Sequence, residues 1–132
     1  MSNTIYYVGA KLSTESEFLL WRHTGTTRKN FHTTLVYSRI WFPYKEAQFF
    51  PLTIEPPYID YEMLIGQLVL TFQNQRLFER HIELRNLGAT SDHIAFKTHI
   101  TLGSCQFGPG GKPLPDFPLT FSNEYYRTWV ER

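Results

Sequence analysis

"FHTTLVYS" (Phe31–Ser38) and "THITLGS" (Thr98–Ser104) share one tetrad, His-x-Thr-Leu, starting at His32 and at His99. Both stretches read as β-strands, being rich in β-branched and apolar residues. Side chains two apart in a strand point the same way. His32 and Thr34 are therefore expected on one face, with Thr33, Leu35 and Tyr37 on the other. His99 and Thr101 likewise share a face, with Ile100 and Leu102 opposite. Each strand would offer an imidazole and a hydroxyl on one side and apolar anchors on the other. Were the two strands to lie side by side, two His and two Thr would converge on one small anion.

Working outward, "TIYYVGAKL" (Thr4–Leu12) reads as a first strand. Ser13 or Thr14 then caps a short helix, with Glu15 and Glu17 well placed for its dipole. The stretch Arg39–Asp60 holds four prolines and reads as loop and short edge strands; with Trp41, Tyr44 and Lys45 it forms either a lid or edge-strand cover. "YEMLIGQLVLTFQ" carries two apolar runs split by Gly66, which predicts strands meeting at a tight turn or bulge. Asn74 is the expected N-cap of a helix with Leu77, Phe78, Ile82 and Leu84 on one face and Gly88 as its stop. "IAFKTHITLGS" and "FPLTFSNEYYRTWV" are further strands, joined by the Gly- and Pro-rich "FGPGGKPLPD". The expected class is α+β: one domain over 1–132, two-lobed, with mainly antiparallel sheets and flanking helices.

Composition bounds the partners. Thirteen basic and twelve acidic residues nearly cancel, which argues against a DNA duplex, a ligand usually held by a strongly basic face. A small anionic ligand needs only a few local donors. Eleven Phe, eight Tyr and three Trp suit a sheet core, with stacking surfaces for bases as the other use of such rings. The lone Cys105 leaves no internal disulfide and fits a reducing cytosol. With no secretion signal and no long apolar run, a cytoplasmic protein is expected.

The paired tetrads have a chemical logic. Breaking a phosphodiester needs a proton taken from the nucleophile and one given to the leaving oxygen. Imidazole serves both ends because its ordinary pKa, about 6.5, leaves both forms accessible near neutrality. Threonine hydroxyls can donate to the non-bridging oxygens, where charge accumulates. No metal or cofactor is needed, and no Asp or Glu adjoins either tetrad to complete a ligand set. His23, His81 and His93 lack this context and read as structural or solvated.

Paired His-x-Thr strands resemble those of the 2H phosphoesterase superfamily, which implies its two-lobed (LigT-like) fold. The flanking text, with "YS" after the first tetrad and "LGAT" after the second helix, resembles the phage anti-CBASS phosphodiesterases between Phe31 and Leu102. That resemblance implies metal-independent cleavage of 3′–5′ linkages in the cyclic di- and trinucleotides of bacterial immune signalling, within the infected host's cytosol. It assigns catalysis to His32, Thr34, His99 and Thr101, and base contacts to Tyr7, Glu124 and Trp129, the last two on a spacing that does not align cleanly. Alternatives are a 2′,3′-cyclic phosphodiesterase or RNA-end processing enzyme, and a non-catalytic sponge that sequesters the cyclic nucleotide.

Overall fold

The computed structural model describes residues 3–26, 30–91, 96–103 and 112–131. His93, Cys105 and the first part of "FGPGGKPLPD" lie outside them. The elements run β1 (Thr4–Leu12), α1 (Thr14–Thr24), β2 (His32–Ser38), β3 (Leu52–Ile54), β4 (Asp60–Leu64), β5 (Gln67–Thr71), α2 (Gln75–Asn86), β6 (His99–Gly103) and β7 (Leu119–Val130). They build two antiparallel sheets, one ordered β2-β1-β7-β3 and the other β4-β5-β6. One hydrophobic cluster draws on both sheets and both helices, including Val8, Ala10, Leu20, Leu35, Leu77, Ile100, Leu102 and Phe121. No described helix is long and apolar enough to cross a membrane.

Local chemistry explains where the elements begin and end. Ser13 caps α1, its Oγ accepting from Ser16 N–H at 3.2 Å, and Gly25 ends it in the left-handed region at φ 66°. Asn74 caps α2 through Oδ1 and Leu77 N–H at 3.0 Å, and Gly88 follows its end at φ 114°. The buried face of α2 differs from the expected one. Leu77 and Leu84 are buried with Arg80 and His81, while Phe78 and Ile82 are substantially exposed. The polar pair goes inside because both find partners there: Arg80 meets a buried carboxylate and His81 a backbone carbonyl. The hairpin at Gly66 is as expected, with Ile65 and Gly66 both at positive φ, the pattern of a tight two-residue turn.

The stretch Arg39–Asp60 packs as cover on the first sheet. Its Tyr44 hydroxyl donates to Glu124 Oε2 at 2.8 Å and its Ala47 N–H to the same oxygen at 3.1 Å. The Tyr44 ring stacks on Tyr126 at 4.7 Å, and β3 pairs with β7.

Each half repeats a strand–helix–strand unit. β1 pairs with β2 across α1, and β5 pairs with β6 across α2. The tetrad strands β2 and β6 are the outer edges of their respective sheets, and they contact each other.

Candidate active site

Both tetrads show one burial pattern along His-x-Thr-Leu: half-buried His, buried x, half-buried Thr, buried Leu. The alternation then breaks in the same place in each. Val8 pairs with Val36 but Gly9 pairs with Thr34, so Leu35 is an extra residue in a β-bulge. Leu68 pairs with Gly103 but Val69 pairs with Thr101, so Leu102 is the extra residue in β6. The leucine of each tetrad is thus the bulge residue, sunk in the core at 1% and 0% exposure. A bulge leaves backbone groups outside the ladder, and His81 Nδ1–H meets the Leu35 carbonyl at 2.6 Å. Burial holds the His81 pKa below its ordinary value, so the ring is neutral at neutral pH.

The first bulge corrects the strict alternation. Tyr37 pairs with Tyr7, which returns it to the face of His32 and Thr34. Across the sheet, Lys11 stands opposite His32, Gly9 opposite Thr34, and Tyr125 opposite Gly9. This face therefore carries Tyr7, Tyr37, Tyr125 and Trp129 around the first His-Thr pair. Tyr7 lies edge-on to His32 with centroids 6.1 Å apart, and Tyr125 does the same at 6.2 Å.

Tyr7 is placed by the glycine two residues on. A Cβ at Gly9 would fall 2.7 Å from the Tyr7 hydroxyl, so the ring occupies the space that only glycine leaves open. From there its hydroxyl reaches Thr34 Oγ1 at 3.0 Å and accepts a longer contact from the Tyr125 hydroxyl at 3.5 Å. Tyr7 is buried, and burial drives its pKa well above the usual tyrosine range. It stays a neutral phenol, hydrogen-bonded to Thr34 and to Tyr125. The expected base contact falls on a residue that is 8% exposed; within the fold its contacts support Thr34 and His32.

A cleft of about 540 Å³ runs between the sheets, lined by Thr34, Tyr37, Val69, Thr71, Lys97 and His99 among others. Thr101 sits opposite Val69 and His99 opposite Thr71, all on the inner face of the second sheet. The His99 ring is oriented by Nδ1, which lies 2.9 Å from the Lys97 carbonyl. As donor to that carbonyl, Nδ1 carries the proton in neutral imidazole and Nε2 is the nitrogen left for chemistry. Among the described residues, no three of His, Cys, Asp and Glu come together as a metal ligand set.

The carboxyl-terminal residues divide. Trp129 lies on the inner face, 5.9 Å from Tyr7 and 5.8 Å from the cleft residue Tyr37. Glu124 does not join it. It pairs with Ala10 on the opposite face and is 2% exposed, its two oxygens taken by Arg80 Nε at 2.7 Å and Nη2 at 2.8 Å. A carboxylate so committed is unavailable to a base. Two acidic residues that sequence reasoning passed over do stand on the inner side. Glu131 accepts from the Tyr37 hydroxyl at 2.6 Å, and Glu62 lines the cleft with Lys97. The signal for Glu62 was the register of the Gly66 hairpin, which sets it opposite Val69.

Residues 5–127 match the family model described as anti-CBASS protein Acb1. The chain belongs to that family. Its role is accordingly to counter CBASS defence. The two short marks that drew the resemblance touch in space: Ser38 of "YS" accepts from the Thr90 N–H of "LGAT" at 3.0 Å, and Arg39 N–H donates to Thr90 Oγ1 at 3.0 Å. In this member of the Acb1 family, those residues tie the end of β2 to the segment leaving α2.

Proposed function

We propose that the chain is a phosphodiesterase of the 2H type that opens the 3′–5′ linkages of cyclic di- or trinucleotide immune signals. The observation that carries this reading is the matched His-x-Thr presentation on two contacting edge strands, from which Thr34 of one and His99 of the other line a single cleft. His32 and His99 are the proton-transfer groups, one neutral and one protonated at the start of a turnover. Thr34 and Thr101 donate to the non-bridging oxygens of the scissile phosphate. A ribose 2′-hydroxyl attacking the adjacent phosphorus gives a cyclic phosphate, and water then opens it to a 3′-phosphate. Proton transfer and hydrogen bonding account for each step without a metal. The Acb1 family membership supports a cyclic nucleotide as substrate, since CBASS signals with such molecules.

The test is incubation with cyclic dinucleotides, cyclic trinucleotides and 2′,3′-cyclic mononucleotides in the presence of chelator, with products resolved by chromatography. Linear products ending in a 3′-phosphate are expected. Recovery of intact ligand after denaturing the protein would replace hydrolysis with sequestration, and cleavage of the mononucleotides alone would replace the substrate class.

A further inference from the structure

A cyclic dinucleotide carries two phosphates, and the His-Thr quartet accounts for one. Among the described residues, Lys97 is the one lysine or arginine lining the cleft. It lies two residues before His99, just ahead of β6, a displacement of about 7 Å along an extended chain. Its ammonium is drawn across the sheet to Glu62 on β4, at 2.6 Å from Oε2 and 2.9 Å from Oε1. Between those two strands lies β5, whose Thr71 stands beside His99 and also lines the cleft. The charge is therefore held over the cleft floor, roughly one to two strand spacings (~5–10 Å) from the catalytic edge. That is the scale of a small cyclic dinucleotide.

An ammonium has three donors, and one is given to Glu62 Oε1. The other donors can turn to an incoming oxygen. A lysine already fixed by a carboxylate loses less side-chain freedom when a ligand arrives than one waving in solvent. The pairing thus keeps a cation in position until an anion claims its free donor.

We propose that the Lys97 ammonium, held over β5 by Glu62, seats the second, uncleaved phosphate of the cyclic dinucleotide. This rests on the phosphodiesterase reading, and the experiment keeps the two separable. Binding is measured by calorimetry at low salt in the His32→Ala background, which lies on the other sheet. The probes are a cyclic dinucleotide and its analogue with one phosphodiester replaced by an uncharged methylphosphonate. Lys97→Met keeps the aliphatic stem and removes the charge, and is expected to raise Kd for the native ligand by about tenfold or more, the worth of a charge-assisted hydrogen bond. The analogue should bind the parent protein that much more weakly and lose nothing further in Lys97→Met, because the partner charge is already gone. Glu62→Gln releases the lysine from its anchor but leaves its charge and removes a competing negative one, so it should raise Kd by clearly less than Lys97→Met.

Equal weakening by Lys97→Met and Glu62→Gln would show a merely structural ion pair and overturn the proposal. So would a Lys97→Met loss of the same size for ligand and analogue, or an absence of binding altogether. Turnover of the cyclic dinucleotide by the unsubstituted protein, read separately, decides the phosphodiesterase assignment. Binding without turnover would sink that assignment while the Lys97 cycle is still read.

Discussion

In β2 the residue ahead of the histidine is Phe31, buried, with its carbonyl accepting from Leu12 N–H at the end of β1 at 3.1 Å. In β6 the corresponding residue is Thr98, buried, with its carbonyl accepting from Phe72 N–H just past β5 at 3.2 Å. Each strand then alternates through His-x-Thr and breaks at a leucine bulge. The backbone device is the same in both halves. The residues that flank the reacting groups differ. In the first half the hydroxyl is backed: Tyr7, seated over Gly9, holds Thr34. In the second half the His99 imidazole is oriented through Nδ1 and the Lys97 carbonyl. The tetrad therefore encodes a way of presenting two side chains, and the tuning of each comes from residues outside it.

The hardest blow to this pairing is loss of either histidine. His32→Ala and His99→Ala are each expected to lower kcat by about 10²–10⁴-fold with the fold retained, since each removes one proton-transfer group. Steady-state rates with a cyclic dinucleotide check this, and a variant at full rate would refute the role of that residue.

The two bulges are compared next through stability. Leu35→Ala and Leu102→Ala should each cost about 2–5 kcal/mol in denaturant unfolding, because each empties a fully buried site. A large inequality between them would show that the shared backbone pattern hides different packing.

Tyr7→Phe sharpens the contrast between the halves. It removes the hydroxyl behind Thr34 and is expected to lower kcat by up to about tenfold, the worth of one hydrogen bond. Gly9→Ala should lower kcat too, by displacing the ring. An unchanged rate in both would leave Thr34 without the support described.

The smallest effect concerns His81 and the first bulge. Its folded-state pKa is depressed by burial, so its contribution to stability is present above the unfolded value of about 6.5 and is lost as pH falls below it. Unfolding free energy should decline through that window. His81→Asn, which can still donate to the Leu35 carbonyl, should flatten the decline; an identical slope in the variant would assign it to other groups.

Much of this was readable in the residues themselves. The tetrads, the caps at Ser13 and Asn74, and the Gly66 turn are set by local chemistry, so local pattern found them. The misplacements share one cause. Tyr37 was put on the wrong face because an extra residue in a strand is a property of its pairing, invisible in one strand alone. Glu124 was read as a base contact because its partner, Arg80, is 44 positions away. Phe78 and Ile82 were drawn inward because hydropathy alone does not announce that Arg80 and His81 bring their own hydrogen-bond partners. Lys97 and Glu62 went unremarked because they meet only through the register of three strands.

The edge-to-edge meeting of β2 and β6 has one more consequence. They belong to separate sheets, so among the described residues the spacing of the two motifs is governed by what fills the interior behind them, and not by a ladder of amide bonds. A change of a methyl group at a buried position such as Val36 or Ile100 would widen or narrow the gap by a fraction of an ångström. Relatives could in this way retune for larger or smaller rings while every reacting atom stays chemically the same.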